Sequence, residues 1–361
     1  MEAAVLNFTK EFERTFGTGL SALGIFDAHC DTLTEFDPGR SSLFDSKTHF
    51  NVERQLEYGR YVQVMDIWVD RARHDPEART QHYLKEFERQ LEVLREKGKS
   101  GETDGAGFGV SFIKSREDLK EYYDPKGGKC AGFILGIEGG ECIDSDAEPF
   151  YSGNAEFRML NGLYAAGVRL ITVTWNTPNA MSDTNCAANE KPGLTDFGKA
   201  AVLEMNRLGI MIDVSHLSDK GFEDVAEMSK KPFIASHSDS RVLCGHSRNL
   251  TDDMFKTLIS AGGVTGINFC RDFLGGSADI DRILEHIEHF ASLGGVANIG
   301  IGSDFDGIGR LPGGIEGAQS LYKIIDGLLK LNYTEAQVRG IAADNFRRVF
   351  EEVLPPRSRL I

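Results

Sequence analysis

Metal-binding and proton-transferring side chains recur in this 361-residue chain at one kind of place, just past a short apolar run. His29 and Asp31 follow such a run in GIFDAHCD, Glu138 in FILGIEGG, His216 in MIDVSH, His237 in FIASH and Asp304 in IGIGSD. Residues i and i+2 of an extended segment point the same way, so His29 and Asp31 can reach one ion. Three imidazoles with two or three carboxylates exceed what one four-coordinate zinc needs. They suit two divalent ions about 3.5 Å apart, with one carboxylate bridging and a hydroxide between them. Imidazole plus carboxylate accommodates Zn, Mn, Co or Ni, and the donor set does not choose among them. Two ions would also neutralise carboxylates that otherwise repel one another.

The elements that must bring these groups together follow from periodicity. Strand candidates are Gly24–Ala28, Val62–Trp68, Gly132–Ile137, Arg169–Thr174, Ile210–Val214, Phe233–Ala235, Val264–Phe269 and Ile299–Gly302. Helical stretches lie between them, including Pro76–Lys97, Thr195–Leu208, Asp219–Ser229, Asp252–Ser260 and Asp279–Leu293. Pro76 suits a first helical turn, Thr195 and Asp252 read as N-caps, and Gly209 and Gly262 as stops. Eight strands with helical crossovers predict a single (β/α)8 TIM-type barrel, whose C-terminal strand ends share one rim; that rim is where the metal site is expected. Phe108–Ile113 also reads as a strand, an extra piece between the second and third barrel strands. Residues 1–22 form an N-terminal extension, and 334–353, starting Thr-x-x-Gln, read as a closing helix. Without repeats or a Pro-rich linker, one domain over 1–361 is expected.

Composition narrows the function. Forty Lys and Arg against 55 Asp and Glu give a net charge of −15 without a basic stripe, which excludes nucleic acid as a partner. Six cysteines are scattered and form no CxxC pair, as in a reduced compartment. No apolar run suits a signal peptide or a membrane span, so a cytoplasmic protein without a membrane partner is expected. Phosphate-loop, dinucleotide-turn and nucleophile-elbow motifs are missing from suitable contexts.

The segments FDAHCD, GIEGG, MIDVSH, FIASHSDSRVLCGHSRN and GIGSDFDG, in that order, resemble the renal (membrane) dipeptidase family from about Phe26 to Phe350. The resemblance implies a dinuclear zinc (β/α)8 barrel related to the amidohydrolases, a homodimer that cleaves dipeptides and often accepts a D-residue in second place. Carried over, His29 and Asp31 would hold one zinc and His216 and His237 the other, with Glu138 bridging. Arg248 would grip the substrate carboxylate, and Asp304 would move the proton of the bridging water. Asp306 rivals Asp304, and Arg241 rivals Arg248. The chain departs from the mammalian pattern at Trp175, where a substrate-binding His stands, and at Cys270, where a Tyr stands; Trp175 reads as a pocket wall rather than a stacking platform. The alternatives are hydrolysis of a cyclic amide, N-acyl amino acid or lactone, and a barrel that binds a small molecule without catalysis.

The other histidines read as structural. His286 and His289, three apart in LEHIEHF, suggest a solvated helix face, and His49, His74 and His82 suggest surface positions. His246 is placed to orient Arg248. Cys30 should point away from the ions by alternation. Asp304-Phe-Asp306-Gly307 is not a calcium loop, because Ile315 stands where the closing Glu belongs.

Overall fold

A computed structural model describes residues 9–35, 42–44, 47–100, 107–124, 128–153, 156–186 and 192–360. Its centre is a curled, wholly parallel sheet. The strands are β1 (Gly24–Asp27), β2 (Arg60–Trp68), β3 (Gly109–Phe112), β4 (Cys130–Glu138), β5 (Val168–Thr172), β6 (Met211–Asp213), β7 (Thr265–Ile267) and β8 (Ile299–Ile301). Seven of them pair in the order β6-β5-β4-β2-β1-β8-β7. The run around Phe108–Ile113 does form a strand: β3 pairs with Cys130–Phe133 of β4, while β5 pairs further along, from Leu135 to Glu138.

Alternation along the strands sorts side chains into two cores. Phe26, Val62, Val64, Ile134, Leu170 and Met211 pack together on the inner face. Ile25, Tyr61, Met65, Phe133 and Ile171 pack outward against the helices. Helices Glu335–Arg339 and Asn345–Val353, joined by a π-helical turn at Gly340–Asp344, bring Phe346 and Phe350 onto Phe26, with ring centroids 5.7 and 5.0 Å away. Thr334 and Gln337 form a reciprocal capping box at the start of that run.

Two expectations change. Phe233–Ala235 forms no ladder; it makes single parallel bridges, Ile234 to Asp213 and Ala235 to Thr265. It is too short, and too soon followed by polar residues, to sustain more. Asp252 is inside its helix, and the cap is Thr251, whose hydroxyl accepts from Met254 N at 3.1 Å. Thr195 does cap Asp196–Leu208, and Gly209 ends that helix in the left-handed conformation at φ 82°. Among the described residues no helix is long and apolar enough to cross a membrane.

Candidate metal centre

The period of two decides which side chains meet at the strand ends. Val62 and Val64 face inward, so Asp66 and Trp68 do as well; Ile134 likewise shares its face with Gly136 and Glu138. Asp66 and Gly136 are partners in register, and the glycine makes the room: a Cβ there would lie 2.0 Å from Asp66 Oδ1. The Asp66 carboxylate thereby reaches His29, with Oδ2 3.1 Å from Nδ1.

All six candidate groups are buried and converge. Glu138 Oε1 lies 2.9 Å from His216 Nε2, 3.4 Å from His237 Nε2 and 3.8 Å from His29 Nε2. His29 Nε2 is 3.3 Å from Asp31 Oδ2 and 3.9 Å from Asp304 Oδ1, and the two Nε2 atoms of His216 and His237 are 3.1 Å apart. The donors fall into two overlapping triads, His29–Glu138–His237 and His29–Asp31–Asp304. His216 and Asp304 adopt left-handed backbone at φ 66° and 59°, a conformation that costs energy in non-glycine residues and recurs where a site demands it.

The far nitrogen of each imidazole faces an acceptor. His216 Nδ1 is 2.8 Å from Asn176 Oδ1. His237 Nδ1 is 2.6 Å from Ser236 Oγ, which donates to Asp213 Oδ2 at 2.6 Å. This pattern puts the ring proton on Nδ1 and leaves Nε2 a lone pair aimed at the cluster. Burial pushes the pKa values of Glu138 and Asp304 up, and those of His216 and His237 down. For His29 burial opposes the charged form, but Asp66 and Asp31 outweigh it and raise its pKa. Asp31 Oδ1 is buried with no hydrogen-bond partner among the described residues. Two imidazoles held neutral by burial, and a third that two carboxylates surround, beside buried, under-compensated acids fit divalent cations, whose charge would favour the anionic form of each acid and the neutral form of each ring.

The rival pairs separate by their partners. Asp306 is occupied elsewhere, accepting from His49 N at 2.6 Å, Thr32 Oγ1 at 2.5 Å and Phe50 N at 3.4 Å. Asp304 instead faces the cluster, its Oδ2 held by Asn268 Nδ2 at 3.0 Å. Arg241 makes a two-pronged pair with Asp219 at 2.7 and 2.8 Å. Arg248 is buried, held by Ser238 Oγ and the His237 carbonyl at 3.3 and 3.2 Å, and stands 5.2 Å over the Phe273 ring. Its Nε has no partner among the described residues, and His246 Nδ1 accepts from its backbone N at 3.1 Å.

A cavity of about 190 Å³ lies against the cluster, lined by Asp31, Glu138, His216, Asp304, Trp68 and Trp175, among others. Trp175 walls it, its ring centroid 4.8 Å from that of Trp68 and 6.3 Å from that of His216. Cys270 also lines the cavity, whereas Cys30 points away, with Sγ 3.4 Å from Met65 Sδ. Sequence reasoning missed Asp66, Trp68, Asn176, Asp213 and Asn268. Asp66 had a readable signal: a carboxylate inside an otherwise apolar, inward-facing stretch of strand.

The histidines outside the cluster correct the surface reading in part. His74 and His82 are exposed, but His49 is half-buried and accepts from Asp306 N at 3.0 Å. His286 is fully buried rather than solvated, 3.1 Å from Ser240 N and 3.0 Å from the Leu274 carbonyl, while His289 is half-buried, 2.8 Å from Asp252. Burial pushes the His286 pKa down to about 4 from its ordinary 6.5. The folded state therefore disfavours the proton, and the associated stability is whole above the unfolded value and is lost as pH falls from 6.5 towards 4. The unfolding free energy measured across that window should fall more steeply for the native chain than for His286→Gln, by up to roughly 1.4 kcal/mol per pH unit. Parallel curves would show that the imidazole is not held neutral.

The model of the family described as membrane dipeptidase (peptidase family M19) matches residues 19–359. Among solved structures, a metallo peptidase from Rhodobacter sphaeroides, liganded with a phosphinate mimic of the dipeptide L-Ala-D-Ala, is 24% identical with a TM-score of 0.76, over 92% of this chain and 99% of that one. A metallo peptidase described as dipeptidase AC, of family M19, is 25% identical with a TM-score of 0.77 over the same shares, 92% and 99%. The probable dipeptidase PvdM from Pseudomonas aeruginosa is 19% identical with a TM-score of 0.74, over 99% of this chain and 100% of that one.

Proposed function

This chain belongs to the membrane dipeptidase family, peptidase family M19, and from that premise we propose that it is a dipeptidase working with two divalent metal ions, zinc foremost. The observation that carries the dinuclear reading is the position of Glu138 Oε1, within 3.8 Å of the Nε2 atoms of three histidines. His29 and Asp31 would hold one ion, His216 and His237 the other, with Glu138 shared. We read the sheet as closing into a barrel through Phe233–Ala235, supported by its bridges to β6 and β7, which sets all these groups on one rim. A homodimer in the cytoplasm, one domain per chain, completes the proposal.

The bound ions supply a water acidic enough to attack at neutral pH and a positive field for the peptide carbonyl. The remaining work falls to the chain. Asn268 pins Asp304 Oδ2 and leaves Oδ1 turned to the cluster, where it takes the attacking water's proton and returns it to the leaving amine. Arg248 presents a guanidinium to the substrate's terminal carboxylate, and burial strengthens that pairing. A longer peptide has no carboxylate at that place, so activity is confined to very short substrates. The Trp68 and Trp175 rings exclude water from one side of the cavity. Arg248→Ala should raise KM by about 10–100-fold, with a smaller change in kcat. A variant with unaltered KM would move carboxylate recognition elsewhere.

Elemental analysis of the purified protein, run beside a panel of L,L and L,D dipeptides, N-acyl amino acids, cyclic amides and lactones, tests the whole reading. Two ions per chain with dipeptide turnover are expected. Turnover of only the other classes would overturn the reaction, and one ion per chain in a fully active enzyme would overturn the dinuclear centre.

A further inference from the structure

A second cavity, of about 230 Å³, adjoins the first, and Thr34, Glu35 and Trp68 wall both. Its other side is formed by the start of helix Pro76–Ser100 and the turn before it, with Arg73, Arg79 and Tyr83. Arg79 is the unusual group there. Its guanidinium lies 4.7 Å over the Tyr83 ring and donates from Nη2 to the Tyr83 hydroxyl at 3.0 Å. Its Nε is buried without a hydrogen-bond partner, and among the described residues Arg79 has no carboxylate partner. Arg73, by contrast, is paired with Asp70 at 3.1 Å. Trp68 Nε1, on the shared wall, is also buried and unpartnered.

The sheet order says which end of a substrate would meet this cavity. Arg248 follows Phe233–Ala235, the segment bridging β6 and β7 at the two ends of the strand path. β2, which ends in Trp68, is the middle strand of that path, β6-β5-β4-β2-β1-β8-β7, and so the farthest from Arg248 along it. A dipeptide with its carboxylate at Arg248 and its peptide bond over the cluster therefore extends its first residue towards β2. The second cavity lies on that side, and its volume of about 230 Å³ is enough for one long side chain.

We propose that this second cavity is the subsite for the side chain of the substrate's first residue, and that Arg79 selects an acidic side chain there. The inference rests on the dipeptidase reading. A carboxylate entering the cavity would complete the hydrogen bonding of Arg79 in the planar geometry a guanidinium favours. Glu35, on the boundary, is available to the α-ammonium of the same residue, so opposite charges on the substrate meet opposite charges on the protein.

The test compares kcat/KM for Glu-Ala and Gln-Ala, equal in size and differing by one charge, each with L- or D-alanine in second place. The wild type should favour Glu-Ala by about tenfold or more. In Arg79→Gln that ratio should fall to near one, and in Arg79→Glu the preference should pass to Lys-Ala. Each ratio is taken on a single preparation, so the fraction of folded variant cancels. Equal turnover of Glu-Ala and Gln-Ala by the wild type, or a preference that survives Arg79→Gln, would overturn the subsite and leave the dipeptidase reading standing. Turnover of no dipeptide at all would overturn both.

Discussion

Asp304→Asn should lower kcat by about two to four orders of magnitude while the metal content per chain stays at the wild-type level. The substitution is close to isosteric, and asparagine tolerates the left-handed backbone that Asp304 adopts at φ 59°, so the loop has no reason to move. Asn268 decides the outcome. Its Nδ2 donates to Asp304 Oδ2 at 3.0 Å, so the amide oxygen of the variant must take that place. The amide nitrogen then occupies the position of Oδ1, facing His29, and it can donate but not accept a proton. The parallel variant Asp306→Asn should behave differently. Asp306 braces residues 49 and 50 through two backbone N–H groups and Thr32, so its loss should show in the melting temperature rather than in kcat. Full activity in Asp304→Asn would remove the proton-transfer role.

Glu138→Ala should do more, because it takes one group from both proposed ions. The metal content should fall, and kcat/KM should drop on the order of 10³-fold or further, as the several kcal/mol of transition-state stabilisation from a metal pair is lost. A second readout separates a metal site from a merely structural carboxylate. Burial pushes the Glu138 pKa up, with Asp31 adding to the shift, so the acid is a burden to the metal-free fold. Removing it should leave the metal-free protein as stable as before or raise its melting temperature, while abolishing the stabilisation that added zinc confers on the native chain. A large loss of stability in the metal-free variant would mean that Glu138 serves the packing, and the dinuclear assignment would lose its bridge.

Much of this was legible in the sequence because it is local. The alternation of Val62, Val64 and Ile134 sets strand and face together, and a carboxylate or imidazole just past such a run can only emerge at the strand's end. His29, Asp31, Glu138, His216, His237 and Asp304 were readable in that way, as were helix boundaries such as Thr195 and Gly209. Local patterns misled where two neighbours share a chemistry, as with Thr251 and Asp252, or where a strand is too short for its own ladder, as with Phe233–Ala235.

Tertiary structure alone decided the rest, because it concerns which partner each group finds across the chain. Asp304 and Asp306, two residues apart, have the same charge and similar neighbours in sequence, yet one faces His29 and the other is bound to residues 49 and 50. Arg241 and Arg248 part in the same way, one spent on Asp219 and the other buried beside His237. His286 reads as amphipathic surface until the loop at Ser240 is seen to cover it. Asp66 needs the missing side chain of Gly136, seventy residues away, to reach its histidine. Residue type and period determine what chemistry the chain carries and at which strand ends; through-space pairing, which no one-dimensional pattern encodes, determines which of those groups are free to act.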